Sequence, residues 1–272
     1  MHGRALKRTF ALKLGYDGSG YRGWQRQPGK LTVQAAMEEA LSRLLEKRPV
    51  LQGASRTDAG VHAEGQVASF ATGRAFHPEK LVLPAGLRLL DAAEAAASFH
   101  ARASSSGKEY RYLFSWGNSD PAFGYALGRE ARPDWARARS ALEGLAGLDS
   151  LSGLASPFKP HRPAPPLESW SLQEGAGTRD DMEKSPDLAT LLVSGKAFRK
   201  HQLRNLAGHL ALIALGLAEP HTLAELAGRR RPWMGATAPA HGLTLLSVRY
   251  PREVDPFLRG RVGQNAAASS TR

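Results

Sequence analysis

Glu109-Tyr110-Arg111-Tyr112-Leu113-Phe114-Ser115-Trp116 sets an aromatic ring at every second position. A period of two puts all four rings on one face of an extended chain, so the stretch predicts a strand. Its weight comes from where it falls. Upstream, Phe10, Leu12, Leu14 and Tyr16 alternate in the same way and predict a half-buried first strand. Thr32 caps a helix to about residue 47, with Val33, Met37, Ala40, Leu41, Leu44 and Leu45 on its apolar face, and Pro49 ends it. Strands follow over 50–57 and 65–72, then a poorly defined helix over 78–87 and a returning strand over 96–103. The aromatic strand starts the same order again, with a helix over 134–145, strands over 167–173 and 188–194, helices over 199–217 and 223–228, and a final strand over 243–250.

Two halves, 8–107 and 108–252, each of the split β-α-β type, predict an α+β fold. The expectation is a pair of ferredoxin-like or RRM-like halves, with antiparallel sheets whose bare faces form a pseudo-symmetric cleft and helices on the outer face. Pro-rich 156–166 and Gly- and charge-rich 175–186 read as exposed loops, and 253–272 as a disordered tail.

Composition narrows the function. The 272 residues hold 37 Lys plus Arg against 25 Asp plus Glu, a formal net charge of +12. So basic a chain points to a polyanion, with nucleic acid ahead of an anionic membrane surface because no basic amphipathic helix or lipidation signal supports the latter. Cysteine is absent, which removes disulfides, thiolate nucleophiles and thiolate metal sites. The apolar run 210–218 is too short to span a bilayer and the first nine residues lack a signal-peptide core, so a soluble, cytoplasmic protein is expected.

The reactive candidate lies in Ser55-Arg56-Thr57-Asp58-Ala59-Gly60-Val61-His62-Ala63, where Asp58 sits in a short loop between two strands and Gly60 permits the turn. The plainer reading is an Asp that caps the turn and pairs with Arg56. Gly18-Ser19-Gly20-Tyr21-Arg22-Gly23 matches the dinucleotide-binding glycine pattern, but the loop runs on to Gly29 without opening a helix, so an oxidoreductase reading fails. The loop offers instead Tyr21, Arg22, Trp24, Gln25, Arg26 and Gln27, planar and cationic groups suited to bases and phosphates, with core packing as the alternative for Trp24. The nine histidines show no metal-ligand spacing; His62 stands alone beside Asp58.

Together these stretches resemble the tRNA pseudouridine synthase A (TruA) family. Residues 16–27 resemble its opening loop and 55–63 the motif around its catalytic aspartate. Phe99-His100-Ala101-Arg102 followed by Lys108-Glu109-Tyr110-Arg111-Tyr112 resembles the segment of its active-site tyrosine, 198–208 the helix of its basic residue, and 238–243 its closing motif. The helix carrying that residue opens Arg199-Lys200-His201-Gln202 where family members commonly show an aliphatic-His-Met start. The resemblance implies isomerisation of uridine to pseudouridine in the tRNA anticodon stem-loop, by a homodimer, with no metal and no cofactor. It implies Asp58, Tyr110 and Arg204 as catalytic residues, and Arg22, Trp24, Gln25, Arg26, Arg56, His62, Arg102 and Lys200 as RNA contacts. A non-catalytic RNA-binding protein or tRNA folding chaperone is the rival; the presence of Asp58, Tyr110 and Arg204 favours the enzyme.

Overall fold

The computed structural model describes residues 7–118, 124–157, 159, 161–175 and 185–258. The expected tail beyond 258 and most of the 175–186 loop lie outside them, as do two positions of the 156–166 loop. In chain order the elements are β1 (Arg8–Tyr16), α1 (Val33–Leu45), β2 (Gln52–Gly53), β3 (His62–Thr72), β4 (Leu87–Ala95), β5 (Gly107–Ser115), β6 (Tyr125–Ala126), α2 (Trp135–Glu143), β7 (Ser169–Glu174), β8 (Leu188–Gly195), α3 (Gln202–Ala214), α4 (His221–Gly228) and β9 (Leu243–Arg249). The fold is α+β with mostly antiparallel strand pairing. It divides into two compact units, Met1–Gly107 with Leu245–Arg272, and Lys108–Thr244. The final strand thus falls largely to the first unit, whereas sequence order alone groups it with the second half.

In the first unit the strands run β4-β1-β3-β9, with β2 paired to β3. β1 pairs antiparallel to β3 from Arg8↔Thr72 to Tyr16↔Ala63, and to β4 from Thr9↔Ala95 to Tyr16↔Leu87. Alternation along β1 gives its two faces different partners. Phe10 joins Phe70 and Phe76 in a cluster of rings, with centroids 5.0 to 5.8 Å apart. The opposite face carries Ala11, packed with Ala54, Val67, Phe99 and Ala101, against which Ala95, Val248, Tyr250 and Phe257 lie. β1 is therefore buried on both faces, not half-buried as its alternation suggested, because the chain returns to cover the second face. That return also corrects the tail. Residues 253–258 are ordered by turn bonds from the Val254 and Asp255 amides to the Pro251 carbonyl (both 3.0 Å), and the Tyr250 hydroxyl donates to the Ala101 carbonyl (2.6 Å).

Three expected elements of this unit change. The strand over 50–57 shrinks to β2, because from Ser55 onward the chain leaves the sheet. The helix over 78–87 is a single 3-10 turn, Pro78–Lys80; Pro84 and the left-handed Gly86 (φ 82°) stop it. The returning strand lies over Leu87–Ala95 and not over 96–103. Its sequence, Leu-Arg-Leu-Leu-Asp-Ala-Ala-Glu-Ala, lacks β-branched residues, so pairing with β1 overrides propensity.

In the second unit β5, β8 and β7 are neighbours, with Tyr110↔Val193 and Trp170↔Val193 in register, and β6 runs parallel to β5. Asp134 caps α2 through the amides of Ala136 and Arg137. The rings of Tyr112, Phe114, Trp116 and Trp135 form a continuous aromatic core. The helix expected over 199–217 starts at Gln202, whose side-chain oxygen accepts the Arg199 amide (2.8 Å), and stops before the left-handed Gly216 (φ 72°).

Trp24 is the largest wholly enclosed side chain of the first unit, and its indole lies against the backbone of Gly53. A methyl group there would overlap the indole. Gly53→Ala is expected to destabilise the protein by ~1–3 kcal/mol as overpacking of a filled core. Gly20→Ala, facing open space, is expected to cost less than about 0.5 kcal/mol. Urea unfolding midpoints of the two variants check this; equal midpoints would mean the core yields at Gly53.

Candidate active site

The loop 55–62 in the first unit is gripped from both sides. The Asp58 carbonyl accepts the Val61 amide (3.2 Å), closing a turn in which Gly60 takes φ 81°. The opening loop lies directly against it. The Trp24 amide donates to the Thr57 carbonyl (3.0 Å) and the Gly60 amide to the Tyr21 carbonyl (3.4 Å). Two glycines make this approach possible: a Cβ on Gly23, itself at φ 86°, would stand 2.7 Å from the Thr57 carbonyl oxygen, and one on Gly18 would run into the Val61 carbonyl. From beneath, the buried Gln66 of β3 accepts the Ser55 amide (3.1 Å) and donates to the Ser55 carbonyl (2.8 Å). The Tyr16 hydroxyl bonds to the Thr57 hydroxyl (2.8 Å). Asp58 itself is half-buried and Arg56 beside it is exposed.

Several predicted RNA contacts have partners within the protein. Trp24 is 1% exposed, so its ring is not free to stack on a base. His62 is 3% exposed; its Nδ1 accepts the Gly18 amide (3.1 Å) and lies 3.2 Å from the Asp17 carboxylate, bracing the loop from inside. Burial pushes the Asp17 carboxyl up, but the Ser19 amide and hydroxyl and the His62 ring outweigh it, leaving Asp17 below its ordinary range. Arg26 is held by Glu38, through Nε at 2.8 Å and through Nη2. Glu38 also takes the Leu51 amide (3.1 Å), so this ion pair ties the opening loop to α1 and to the chain entering β2. Gln25 donates to Gln34 (3.0 Å), whose oxygen also takes the Arg26 amide (2.9 Å). The loop reaches α1 only at Thr32, so no helix opens at its glycines.

Other predicted contacts do face solvent. Arg22, Arg56 and Arg102 are exposed, and among the described residues none of the three is paired with a carboxylate. Arg102 is lowered from its ordinary range, first by partial burial and then by the like charge of Arg56. An exposed guanidinium that feels the like charge of a second one, neither of them paired with a carboxylate among the described residues, favours an anion.

The second unit carries Tyr110, Lys200 and Arg204. Tyr110 is buried on β5, with Phe198 edge-on at 5.3 Å and 86°. Lys200 is exposed ahead of α3, where His201 takes a left-handed conformation (φ 61°). Arg204, in the first turn of α3, donates Nε–H to the Ala238 carbonyl (2.8 Å), and the Ala238 amide returns to the Arg204 carbonyl (3.0 Å). The adjoining Pro239 carbonyl accepts the Tyr112 hydroxyl (2.8 Å), and Gly242 lies against the Tyr112 ring, where a Cβ would come within 2.6 Å. Burial, with Tyr125 adding to it and Arg204 opposing it, pushes the Tyr112 hydroxyl far up. Asn205 joins this frame, donating to the Leu154 carbonyl (2.7 Å) and accepting from Thr237 (2.6 Å).

The polar residues that hold these loops, Gln66, Gln34 and Glu38, carry no expectation from the sequence, and Tyr16 and Thr57 are expected there only as strand and motif residues. One signal was available: Gln66 and Glu38 are polar residues at positions that strand and helix periodicity assign to the buried face. Among the described residues no three His, Asp or Glu side chains form a metal-binding group, and no helix is long and apolar enough to cross a membrane.

Comparison with known proteins closes the question of kinship. The family model described as tRNA pseudouridine synthase matches residues 173–251. Curated relatives extend over nearly the whole chain. The tRNA pseudouridine synthase A of Acidiphilium cryptum is 36% identical over 93% of this chain and 99% of that protein. Its counterpart in Chloroflexus aurantiacus is 35% identical over 93% and 94%, and that of Myxococcus xanthus 35% over 88% and 91%. On identity of this extent, the chain belongs to the tRNA pseudouridine synthase A family.

Proposed function

We propose that the chain converts uridine to pseudouridine in tRNA with Asp58 as the catalytic carboxylate. The observation that carries the reading is the loop 55–62, which presents one half-buried carboxylate on a turn fixed at the backbone on both sides of it. The reaction breaks the bond between N1 and C1′, turns the base, joins C5 to C1′ and moves the C5 proton to N1. It needs no net redox change and no energy input. A fixed carboxylate serves it either as nucleophile at C1′ or as the base that starts glycosidic cleavage. Tyr110, buried on β5, and Arg204, bonded to the Ala238 carbonyl, are assigned to the same chemistry on the family resemblance alone. Arg22, Arg56, Arg102 and Lys200 are assigned to phosphates, supported by their exposure and by the +12 charge. Each unit is read as one ferredoxin-like half, and the working enzyme as a cytoplasmic homodimer acting on uridines of the anticodon stem-loop. That part rests on the family resemblance.

Asp58→Asn is expected to abolish release of tritium from tRNA labelled at uridine C5 while keeping tRNA affinity within a few-fold, since phosphate contacts dominate binding and one carboxylate the chemistry. Activity near wild type in this variant would remove Asp58 from the mechanism.

The arginines of the opening loop divide by their partners. Arg22→Ala is expected to weaken tRNA binding and to reduce the log-log salt slope by about one, as one phosphate contact is lost. Arg26→Ala is expected to leave the slope unchanged and to cost ~1–2 kcal/mol of stability, because Glu38, 4% exposed, loses its cation. Filter binding across a salt series, with urea unfolding alongside, checks both; a slope that falls for Arg26 and holds for Arg22 reverses the assignment.

A further inference from the structure

We infer that Gln66 is a positioning residue for the reaction, holding the Asp58 carboxylate in place through Ser55 and Thr57 without touching substrate. The inference rests on the reading above, that Asp58 carries the chemistry. Gln66 is 0% exposed and stands opposite Leu14 in the β1–β3 ladder, a site where strand periodicity calls for an apolar side chain. Burying a carboxamide is unfavourable unless its donors and acceptor are used, and here all are. The oxygen accepts the Ser55 amide (3.1 Å), and the nitrogen donates to the Ser55 carbonyl (2.8 Å) and to the Tyr16 hydroxyl (3.4 Å). The paired contacts with Ser55 also fix which end of the amide is oxygen.

The location gives the contacts their meaning. β2 ends at Gly53, and the last backbone tie to the sheet is the Ala54 amide on the Val67 carbonyl (2.8 Å). At Ser55 the chain leaves the sheet toward Asp58, and the Gln66 carboxamide replaces the next ladder step by a side chain that bonds both backbone groups of one residue. Tyr16 extends the clamp, its hydroxyl lying between Gln66 and the Thr57 hydroxyl (2.8 Å). The two residues flanking exposed Arg56 are thereby fixed, and with the Trp24 amide on the Thr57 carbonyl the backbone entering Asp58 has little freedom. An apolar residue would fill the core equally well. What it would not do is hold Ser55.

The experiment compares full-length wild-type protein with Gln66→Met, Gln66→Glu, Tyr16→Phe and Asp58→Asn. It measures single-turnover pseudouridine formation at saturating tRNA, tRNA affinity by filter binding, and thermal unfolding. Gln66→Met is expected to lower the rate on the order of tenfold to a hundredfold, as small displacements of a reacting group do, with affinity changed less than about threefold. Tyr16→Phe keeps the ring and the Ser55 clamp and is expected to lose only several-fold. In Gln66→Glu the introduced carboxyl donates to the Ser55 carbonyl only when protonated, so its rate relative to wild type is expected to rise as pH falls.

Wild-type rates in folded Gln66→Met and Tyr16→Phe overturn the inference, as does a loss of rate matched by an equal loss of affinity. If Gln66→Met does not fold, Tyr16→Phe and Gln66→Glu decide, and a full rate in both with no pH dependence in their ratio to wild type overturns it. The functional reading fails separately, through an inactive wild-type protein or an active Asp58→Asn; the positioning role fails alone when Asp58→Asn is dead and the clamp variants are not.

Discussion

Backbone meets backbone where the opening loop lies on the loop 55–62, and this contact governs the first unit. The Trp24 amide on the Thr57 carbonyl and the Gly60 amide on the Tyr21 carbonyl are bonds between loops, not rungs of a sheet, so nothing regular supports them. Their geometry requires Gly18 and Gly23 to lack a Cβ, and it brings Trp24 down onto Gly53. The residues between these anchors follow as consequences. Gln34 and Glu38 occupy the buried face of α1 because the loop needs acceptors there: Gln34 takes the Arg26 amide, and Glu38 takes the Arg26 guanidinium and the Leu51 amide. His62 is enclosed because it closes the gap under Gly18. A glycine pattern that looked like a nucleotide cradle thus serves the close approach of two loops.

The cations separate on the same ground. Arg26, Arg199 and Arg204 give their guanidinium groups to Glu38, the Pro163 carbonyl and the Ala238 carbonyl, and each of those bonds fixes a loop to a helix or to its start. Arg22, Arg56, Arg102 and Lys200 stay in solvent. A net charge of +12 counts both kinds alike, so it identifies the class of partner without saying which residues meet it.

What could be read before the structure followed from periodicity and caps. The alternations from Phe10 to Tyr16 and from Tyr110 onward are β1 and β5, and Thr32 caps its helix through its side chain. Both signals are local, set by the chain's own neighbours. β4 was displaced because its residues favour helix and only β1 makes them a strand. Trp24, Arg26 and His62 misled for a related reason. Their chemistry suits RNA, but Trp24 and His62 are enclosed and Arg26 is paired with Glu38, in each case by partners 10 to 50 residues away that no local pattern encodes. The loop around Asp58 was legible by its motif, whereas the clamp at Gln66 was not, since a single glutamine in a strand is ambiguous until its partner is known.

The longest-range dependence is the return of the C-terminal segment. Val248, Tyr250 and Phe257 lie on the face of the first unit formed by Ala11, Val67, Phe99 and Ala101, and the Arg249 carbonyl takes the Ser106 amide (2.9 Å). β1 therefore stays open on one face until the last strand has been made, with the whole second unit lying between them in sequence. Closing so long a loop costs entropy before any contact repays it, which slows the step relative to the local helices and hairpins. The loops around Asp58 rest on β1 and β3, the strands whose burial this step completes. The loop 55–62 consequently rests on a strand whose packing is completed by residues more than 180 positions downstream of it.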